Sequence, residues 1–451
     1  MAFAIITPPF QAPDEIVHFY RAYQISEFHL MPEKVGDGYG AYLPESIPIA
    51  ATKAGQGIQQ NSNIRYNTTA TFDLLRQPLN APLTTPLKFV NSYSPVAYLF
   101  QLPGIFLGRI FNLPPILILY LGRIFSVIFW SIALFIAIRI SPIGKWSMVA
   151  LGLTPMAVFL SGSVTIDTIL NASAFLLLAF SFRARNNNSI SRKDIIIIGA
   201  LFLVIALTKI IYLPIVAVLF IVTSKSFIGL RRTIIFLILA VVVSIALGYG
   251  WMRITTQAQT VAVQETSSLV GFGIVPKQQL DYILANPAAY FRTTWNTYLT
   301  NNGNHITSEY YGTLGSLDVS LPQWLTMAGY IIIILALISE PKTIIHFSLR
   351  YKFLLISSFV FIVAAISTAM YLYSSPYKYV IIVGLQGRYF IPATVLAIPL
   401  VMNSFKGVKF TPEARRLLVV RGSVVVLILA LFIESFRYYA ILGTIIDKTF
   451  S

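Results

Sequence analysis

The chain contains no cysteine and few charged residues. The lack of cysteine excludes disulfide bonds, cysteine-ligated zinc sites and thiol catalysis. Only 11% of the 451 residues are charged, whereas a soluble globular protein has about a quarter. Hydrophobic residues make up 56% of the chain, and the mean hydropathy is +0.73. This balance is typical of a polytopic membrane protein, with the lipid bilayer as its surroundings.

Acidic residues are especially scarce, with 17 Asp and Glu against 33 Lys and Arg, which gives a net charge of +16. A nucleic-acid-binding protein gathers its basic residues on one exposed stripe. Here they occur in short clusters between apolar runs, which is typical of the cytoplasmic loops of a membrane protein. The charge therefore indicates membrane topology, and no nucleic-acid partner is expected.

Ten apolar runs approach the length of about 20 residues that crosses a bilayer. They lie at 115–138, 146–162, 164–181, 194–209, 210–224, 233–252, 321–339, 353–373, 389–403 and 422–439. The connections at 139–145, 182–194, 225–232, 340–352 and 404–421 hold 17 Lys and Arg against 3 acidic residues, whereas those at 9–92, 253–320 and 374–388 hold 11 of each sign. The first group is predicted to be cytoplasmic and the second external.

Two segments are ambiguous. The segment 93–114 is apolar, but counting it as a crossing would place the basic 182–194 connection outside, so we interpret it as an interfacial or re-entrant helix interrupted by prolines. Residues 1–8 precede a long external loop and are too short to span, so we interpret them as the remnant of a truncated first transmembrane helix.

The predicted fold is an all-α polytopic membrane protein of about 11 transmembrane helices, with two long external loops that carry short interfacial helices. Its sections are the remnant helix at 1–8, the first external loop at 9–92, the interfacial helix at 93–114, helices 2 to 7 at 115–252, the second external loop at 253–320 and helices 8 to 11 at 321–451. No internal repeat is visible, which weakens an inverted-repeat transporter.

Several polar residues converge on the predicted outer face. Asp14 and Glu15 follow the first helix in "PPFQAPDEIVHFYR", and Asp167 begins a helix in "SGSVTIDTILN". Lys209 ends a helix in "ALTKIIYLP", and Arg388 stands at a helix mouth in "GLQGRYFIP". Carboxylates and cations on one face suit a reaction that needs a base and a partner for phosphate.

Each of these residues also has a simpler interpretation. Asp14 could be a helix N-cap with Glu15 in the first turn. Asp14, His18 and Arg21 share a helix face at i, i+4 and i+7, so Asp14, Glu15 and His18 are an alternative metal-ligand set. Lys209 could snorkel, nearby tyrosines could form an ordinary interfacial belt, and a structural salt bridge is favoured for Arg123 within its helix.

These motifs, together with "YSPVAYLFQLPG", resemble the bacterial family catalogued as domain of unknown function 2142. That family is similar to the GT-C superfamily of polytopic glycosyltransferases, which take a sugar from a polyprenyl-phosphate carrier at the outer face of the membrane. The resemblance implies a GT-C-like fold and transfer to a cell-envelope glycan or lipid acceptor outside the bacterial cytoplasmic membrane. In that superfamily an acidic residue just after the first helix acts on the acceptor or on a metal, and Asp14 and Glu15 occupy that place.

On this basis we expect an inverting transfer in which Asp14 or Glu15 is the general base. Arg388 and Lys209 would stabilise the departing lipid phosphate. Asp167 would orient the acceptor or, with the first-loop carboxylates, hold Mg or Mn. The rest of the predicted substrate-binding set is His18, Arg21, Tyr212, Gln386 and Tyr389.

Three other functions remain open. A transporter or flippase of lipid-linked glycans would also place charges in a membrane cavity, but its polar residues should recur through the whole bilayer depth. An external polysaccharide polymerase or ligase would be expected to rely on more arginines in its long loop than Arg253 and Arg292. A structural scaffold would have no reason to collect these polar residues on one side.

Overall fold

The computed structural model describes residues 1–58, 64–80, 84–89, 92–187, 190–221, 230–270, 273–299, 301–341, 347–402 and 410–439. The protein is mostly helical, at 72%, with few strands. This composition agrees with a helical membrane protein, because a helix satisfies all of its interior backbone groups within one segment.

Nineteen α-helices occur in the described ranges. They are α1 Ala2–Ile6, α2 Glu15–Ser26, α3 Ser46–Gly55, α4 Thr68–Leu74, α5 Leu102–Ile110, α6 Pro115–Ile140, α7 Lys145–Gly152, α8 Pro155–Ser161, α9 Asp167–Asn186, α10 Arg192–Lys209, α11 Leu230–Val270, α12 Pro276–Ala285, α13 Pro287–Leu299, α14 Asn301–Gly312, α15 Gln323–Ile338, α16 Leu349–Tyr373, α17 Ala397–Val401, α18 Pro412–Arg415 and α19 Gly422–Tyr439. The 3₁₀ helices of the described ranges are Pro95–Tyr98, Ile210–Ile221, Gly387–Phe390 and Pro392–Leu396, and Arg416–Arg421 is π-helical.

Five helical stretches of the described chain are long and apolar enough to cross a membrane. They are Pro115–Ile140, Arg192–Ile221, Ile235–Thr256, Leu349–Tyr373 and Pro412–Tyr439, and the shorter stretches Gln323–Ile338 and Gly387–Val401 are also apolar. The run predicted at 146–162 is divided into α7 and α8. Thr154 caps α8 by accepting a hydrogen bond from the Ala157 backbone, and Pro155 begins it, so the two helices are separate.

The apolar stretch Arg192–Ile221 contains a reversal, because the chain turns back at the end of α10. Gly199 of α10 packs beside Phe236 and Ala240 of α11, and Ala206 packs beside Gly248. Because the paired positions increase together, α10 and α11 run in the same direction. The 3₁₀ segment Ile210–Ile221 therefore leads back across the bundle between them.

Contacts of this 3₁₀ segment show the same reversal. The Tyr212 hydroxyl, near its start, donates to the backbone oxygen of Tyr389, and the Val218 oxygen, near its end, accepts from the Tyr351 hydroxyl. Tyr351 stacks on Phe347, whose ring in turn contacts Phe182 at the far end of α9. The end of α9 that begins with Asp167 is thus on the Tyr212 side.

The connections predicted to be cytoplasmic meet at that far end of the bundle. Contacts join Ser147 with Glu340, Arg183 with Asp194, Phe182 with Phe347, and Arg415 with Ser339. Three of the five basic connections, 182–194, 340–352 and 404–421, are represented in these contacts, and Ser147 follows a fourth, 139–145, by two residues. The bundle therefore separates a strongly basic end from the end at which Asp167 lies.

The first long loop contains a small sheet within the otherwise helical protein. Strands β1 Glu33–Val35, β2 Gly38–Pro44 and β3 Thr84–Lys88 form an antiparallel sheet in this order. Gly40 pairs with Lys88, and a Cβ at Gly40 would lie only 1.7 Å from the Leu87 oxygen. A second two-stranded sheet pairs β4 Thr313–Leu314 with β5 Val319–Ser320. The sequence did not indicate these strands, since β1, β4 and β5 have only two or three residues each and β2 carries two glycines and a proline.

The first loop shares an apolar core with α5, α6 and the residues just before α9. Phe19, Tyr23, Leu43, Ile47 and Tyr98 are all fully buried there. Burial of each such side chain contributes roughly 1.5–3 kcal/mol. Helix α2, which follows Asp14, is therefore held rigidly.

The segment predicted to be interfacial forms a hairpin with α6. Helix α5 has nine residues, about 14 Å of helix, and is too short to span a bilayer of about 30 Å. Gly104 and Gly108 face α6 so closely that a Cβ on them would lie 2.4 Å from the Leu121 oxygen and 2.9 Å from the Ile118 side chain. These glycines allow α5 and α6 to pack closely. Tyr98, at the end of the 3₁₀ helix that precedes α5, contacts α2 at His18.

The second long loop is mostly helical. Helix α11 continues to Val270, past the boundary predicted at 253, and α12, α13 and α14 follow. Helix α14 packs on the 3₁₀ helix Gly387–Phe390. Through this contact the second loop supports the segment that carries Arg388.

Candidate functional site

Asp14 stands at the N-cap of α2, but its side chain does not cap the helix. Its backbone is left-handed, with φ 60°, a conformation that costs an L-residue about 1–2 kcal/mol. The carboxylate turns away from the helix and accepts a hydrogen bond of 2.6 Å from Arg388 Nη2. The capping interpretation is therefore right about the position and wrong about the side chain.

Asp167 joins the two cations of the site. At the start of α9, its Oδ2 lies 3.3 Å from Arg388 Nη1 and its Oδ1 lies 3.0 Å from Lys209 Nζ. Asp14, Asp167, Lys209 and Arg388 thus form one continuous set of ion pairs, which we call the ionic cluster. Four distant segments meet here, and all four members were among the predicted site residues.

The members of the ionic cluster differ strongly in exposure. The Arg388 side chain is 2% exposed, Asp167 is 7% exposed and Lys209 is 19% exposed, whereas Asp14 is 56% exposed. One buried and one partly buried cation are balanced by two carboxylates, as charges removed from water require. Solvent reaches the cluster mainly at Asp14.

Arg388 is held from the second loop. A Cβ at Gly387 would lie 2.0 Å from the Ile306 oxygen and 2.2 Å from the Tyr310 nitrogen of α14, so only glycine fits here. The Gly387 amide donates to Glu309 Oε2 at 2.9 Å, and Gln386 Oε1 accepts from Arg388 Nε at 2.6 Å. Gln386 was predicted, whereas Glu309 was missed because no motif marks it.

Tyr389 lies against both cations. Lys209 Nζ is 5.0 Å and Arg388 Cζ is 5.2 Å from the centroid of its ring. These are cation–π distances. Because Tyr212 fixes the Tyr389 backbone by a 2.7 Å hydrogen bond, both predicted tyrosines support the cluster.

His18 lies beneath the carboxylates. Its Nδ1 is 2.9 Å from the Tyr98 hydroxyl, and its ring is 5.4 Å from that of Tyr93. Burial lowers the pKa of His18 to about 4, although Asp14 and Asp167 oppose this shift. The imidazole is therefore neutral at pH 7 and is suited to hydrogen bonding.

The carboxyl of Asp14 is ionised at neutral pH. Burial raises the pKa of Asp14, but the charge of Arg388, together with His18 and the hydrogen bond from Arg388, lowers it by more. The pKa consequently lies below its usual range. A carboxylate with a lowered pKa is a weak base as long as Arg388 remains bound to it.

Glu15, the neighbour of Asp14, lies in a different environment. It forms a fully buried ion pair with Arg123, whose Nε lies 2.8 Å from Glu15 Oε1. The backbone amides of Phe10 and Val164 also donate to its two oxygens, each at 3.0 Å. Arg123 donates to the Thr7 and Pro8 carbonyls as well. Glu15 therefore connects three segments of the chain, those that contain Phe10, Arg123 and Val164. The contacts of Arg123 agree with the structural role favoured for it.

Arg21 is likewise used within the first loop. It is fully buried and donates to Gln24 Oε1 and to the carbonyl oxygens of Tyr93, His29 and Leu30. None of these hydrogen bonds joins Arg21 to the ionic cluster. The structure therefore places Arg21 in the support of α2 and away from the predicted phosphate site.

The alternative metal set does not come together. Glu15 is directed to Arg123, whereas Asp14 is directed to Arg388. Within the described ranges, no group of three His, Asp or Glu side chains is arranged to hold a metal ion. Asp14, Glu15 and His18 therefore do not form one site for Mg or Mn.

Comparison with known proteins identifies the family. The family model of predicted membrane proteins designated DUF2142 matches residues 1–397, a stretch that contains the whole ionic cluster. No curated protein and no solved structure matches the chain. The chain therefore belongs to the DUF2142 family of predicted membrane proteins.

Proposed function

We propose that this protein is a membrane-embedded glycosyltransferase of GT-C type that moves a sugar from a polyprenyl phosphate to a cell-envelope glycan or lipid. One observation carries the proposal. An exposed carboxylate, Asp14, lies directly on a buried arginine whose second carboxylate partner also binds a lysine. A base next to a phosphate-binding pair is what such a transfer requires.

In the proposed reaction Asp14 removes the proton of the acceptor hydroxyl as its oxygen attacks the anomeric carbon of the donor sugar. The bond between that carbon and the phosphate oxygen breaks, and the lipid phosphate leaves with the electron pair. Arg388 and Lys209 stabilise the charge on the departing phosphate. A single displacement inverts the anomeric configuration.

The contacts of Asp167 assign it a positioning role in this reaction. It is hydrogen-bonded to both cations and is almost fully buried, so it keeps Arg388 and Lys209 together. This replaces our expectation that Asp167 orients the acceptor. Glu15 is excluded as the base in this proposal, since its two oxygens are occupied by Arg123 and two backbone amides.

We place the site at the outer face of the bacterial cytoplasmic membrane. The basic connections gather at the opposite end of the bundle, and short basic loops remain in the cytoplasm. The return of the chain after Lys209 supports separate crossings at 194–209 and 210–224, in keeping with about 11 transmembrane helices.

The test is transfer of labelled sugar from polyprenyl phosphate by the purified protein in liposomes, with and without EDTA. Asp14→Asn should lower the rate about 100-fold or more, which is the contribution of a general base. The matched control is Asp73→Asn, since Asp73 is an exposed carboxylate of the same loop. Full activity of Asp14→Asn would refute the assignment of the base. Labelled donor that crosses the vesicle unconsumed would instead support a flippase.

A further inference from the structure

All three nitrogens of the Arg388 guanidinium already have partners. Nε donates to Gln386, Nη1 to Asp167 and Nη2 to Asp14. These three bonds use three of its five N–H groups. Because the Arg388 side chain is only 2% exposed, a phosphate that binds it bidentately from the solvent side competes with its most exposed partner for the N–H groups.

Asp14 is the partner that can be replaced. Asp167 is 7% exposed and is also bound by Lys209, and Gln386 is two residues from Arg388 in the chain. Asp14 is 56% exposed and makes a single hydrogen bond to the cluster. Its backbone is left-handed, and its side chain does not stabilise α2. Its contact with Arg388 is thus the most accessible of the three.

We infer that the Asp14 carboxylate occupies the place of the ligand's phosphate on Arg388, and that an arriving phosphate displaces it. This inference rests on the proposed function, in which the displacement frees the base Asp14 only when the phosphate of the sugar donor is bound. Once Arg388 binds the phosphate, Asp14 loses the cation that weakens it as a base and turns to the acceptor hydroxyl. In the empty site Asp14 stays paired with Arg388, so it activates water less readily.

The inference predicts competition between Asp14 and a phosphate anion, which can be measured without turnover. The probe is inorganic phosphate, titrated into the purified full-length protein in detergent and followed by ³¹P NMR. Asp14→Asn should bind phosphate about 10-fold more tightly than the natural protein, a size typical of coupling between two ligands at one site. Asn also tolerates the left-handed backbone.

Two controls complete the experiment. Asp73→Asn removes the same charge from the same loop and should leave phosphate affinity unchanged, which separates displacement from general electrostatics. Arg388→Gln should weaken binding at least about 10-fold by removing the charged donors. Asp14→Gly, which also permits a positive φ, repeats the test should the asparagine variant fold poorly.

Equal or weaker phosphate binding by both Asp14 variants would overturn the inference and would leave glycosyl transfer untouched. Failure of the proposed function alone would give a different result. Tighter phosphate binding by Asp14→Asn, with no sugar transfer by the natural protein from any polyprenyl-phosphate donor, would retain the displacement and refute the proposed function.

Discussion

Asp14 and Glu15 show how much one position can matter at the start of a helix. Asp14 is the N-cap with a left-handed backbone and Glu15 is the first residue of α2, so their side chains leave the chain in different directions, and Asp14 reaches Arg388 whereas Glu15 reaches Arg123. One carboxylate is half exposed and contacts the cluster, and the other is fully buried among donors. The same functional group is thus available for chemistry at one position and structural at the next.

The buried pair leads to a prediction about stability. Glu15→Gln should lower the free energy of unfolding by about 3 kcal/mol or more, because it leaves the Arg123 charge buried without a counter-ion. Thermal unfolding in detergent measures this. Asp37→Asn breaks an exposed ion pair with Lys88 and should have little effect. Equal losses in the two variants would contradict the argument.

His18 leads to a prediction about pH. Its pKa is about 4 in the folded protein and about 6.5 when unfolded. As the pH falls from 6.5 to 4, only the unfolded chain takes up this proton. The free energy of unfolding therefore declines by about 3 kcal/mol once the pH is below 4.

The corresponding measurement compares melting temperatures at pH 7 and pH 4.5. His18→Gln retains a polar group for Tyr98 and should lose less stability on acidification than the natural protein. His29→Gln changes an exposed histidine of the same loop and should behave as the natural protein does. An unchanged acid loss in His18→Gln would rule out His18 as its source.

At the scale of elements, the site depends on α14 although that helix contributes no member of the ionic cluster. Its backbone lies against Gly387 so closely that a side chain cannot be accommodated. Glu309, from the same helix, accepts the Gly387 amide hydrogen. The second loop therefore sets the position of Arg388, and changes there should act through the arginine.

Gly387→Ala tests this dependence. The added methyl group must displace α14 or the Arg388 backbone, and a shift of about 1 Å at a reacting centre can lower the rate about 100-fold. We expect a loss of this order in sugar transfer, with weaker phosphate binding. Gly250→Ala is the control, because a Cβ there has no neighbour within 4 Å. Normal transfer by Gly387→Ala would show that α14 does not position Arg388.

At the scale of the whole molecule, the absence of cysteine allows a direct test of sidedness. Single cysteines at the exposed positions Asp73, Asp281 and Lys193 can be introduced without removing native thiols. A membrane-impermeant maleimide should label the first two in intact cells, and Lys193→Cys only after permeabilisation, because short basic loops are retained inside. The reverse pattern would invert the proposed topology.

Part of the site was predictable from the sequence. Hydropathy and charge are local properties, so they indicated a membrane protein and predicted the side of the membrane on which each connection lies. That sidedness was sufficient to select Asp14, Asp167, Lys209 and Arg388, which the structure brings into one cluster. The five long apolar helices, the basic end of the bundle and the family match agree with this class.

Other features were decided only by the tertiary structure, because they depend on contacts between residues far apart in the chain. Glu15 does not join the ionic cluster, because its carboxylate pairs with Arg123, 108 positions away in the chain. Glu309 supports the site by accepting a hydrogen bond from the Gly387 amide, 78 positions away in the chain. The sequence by itself determined the kind of protein and predicted the side on which its polar residues lie. Packing determined which of them meet, since each hydrogen bond depends on where its partner has been folded.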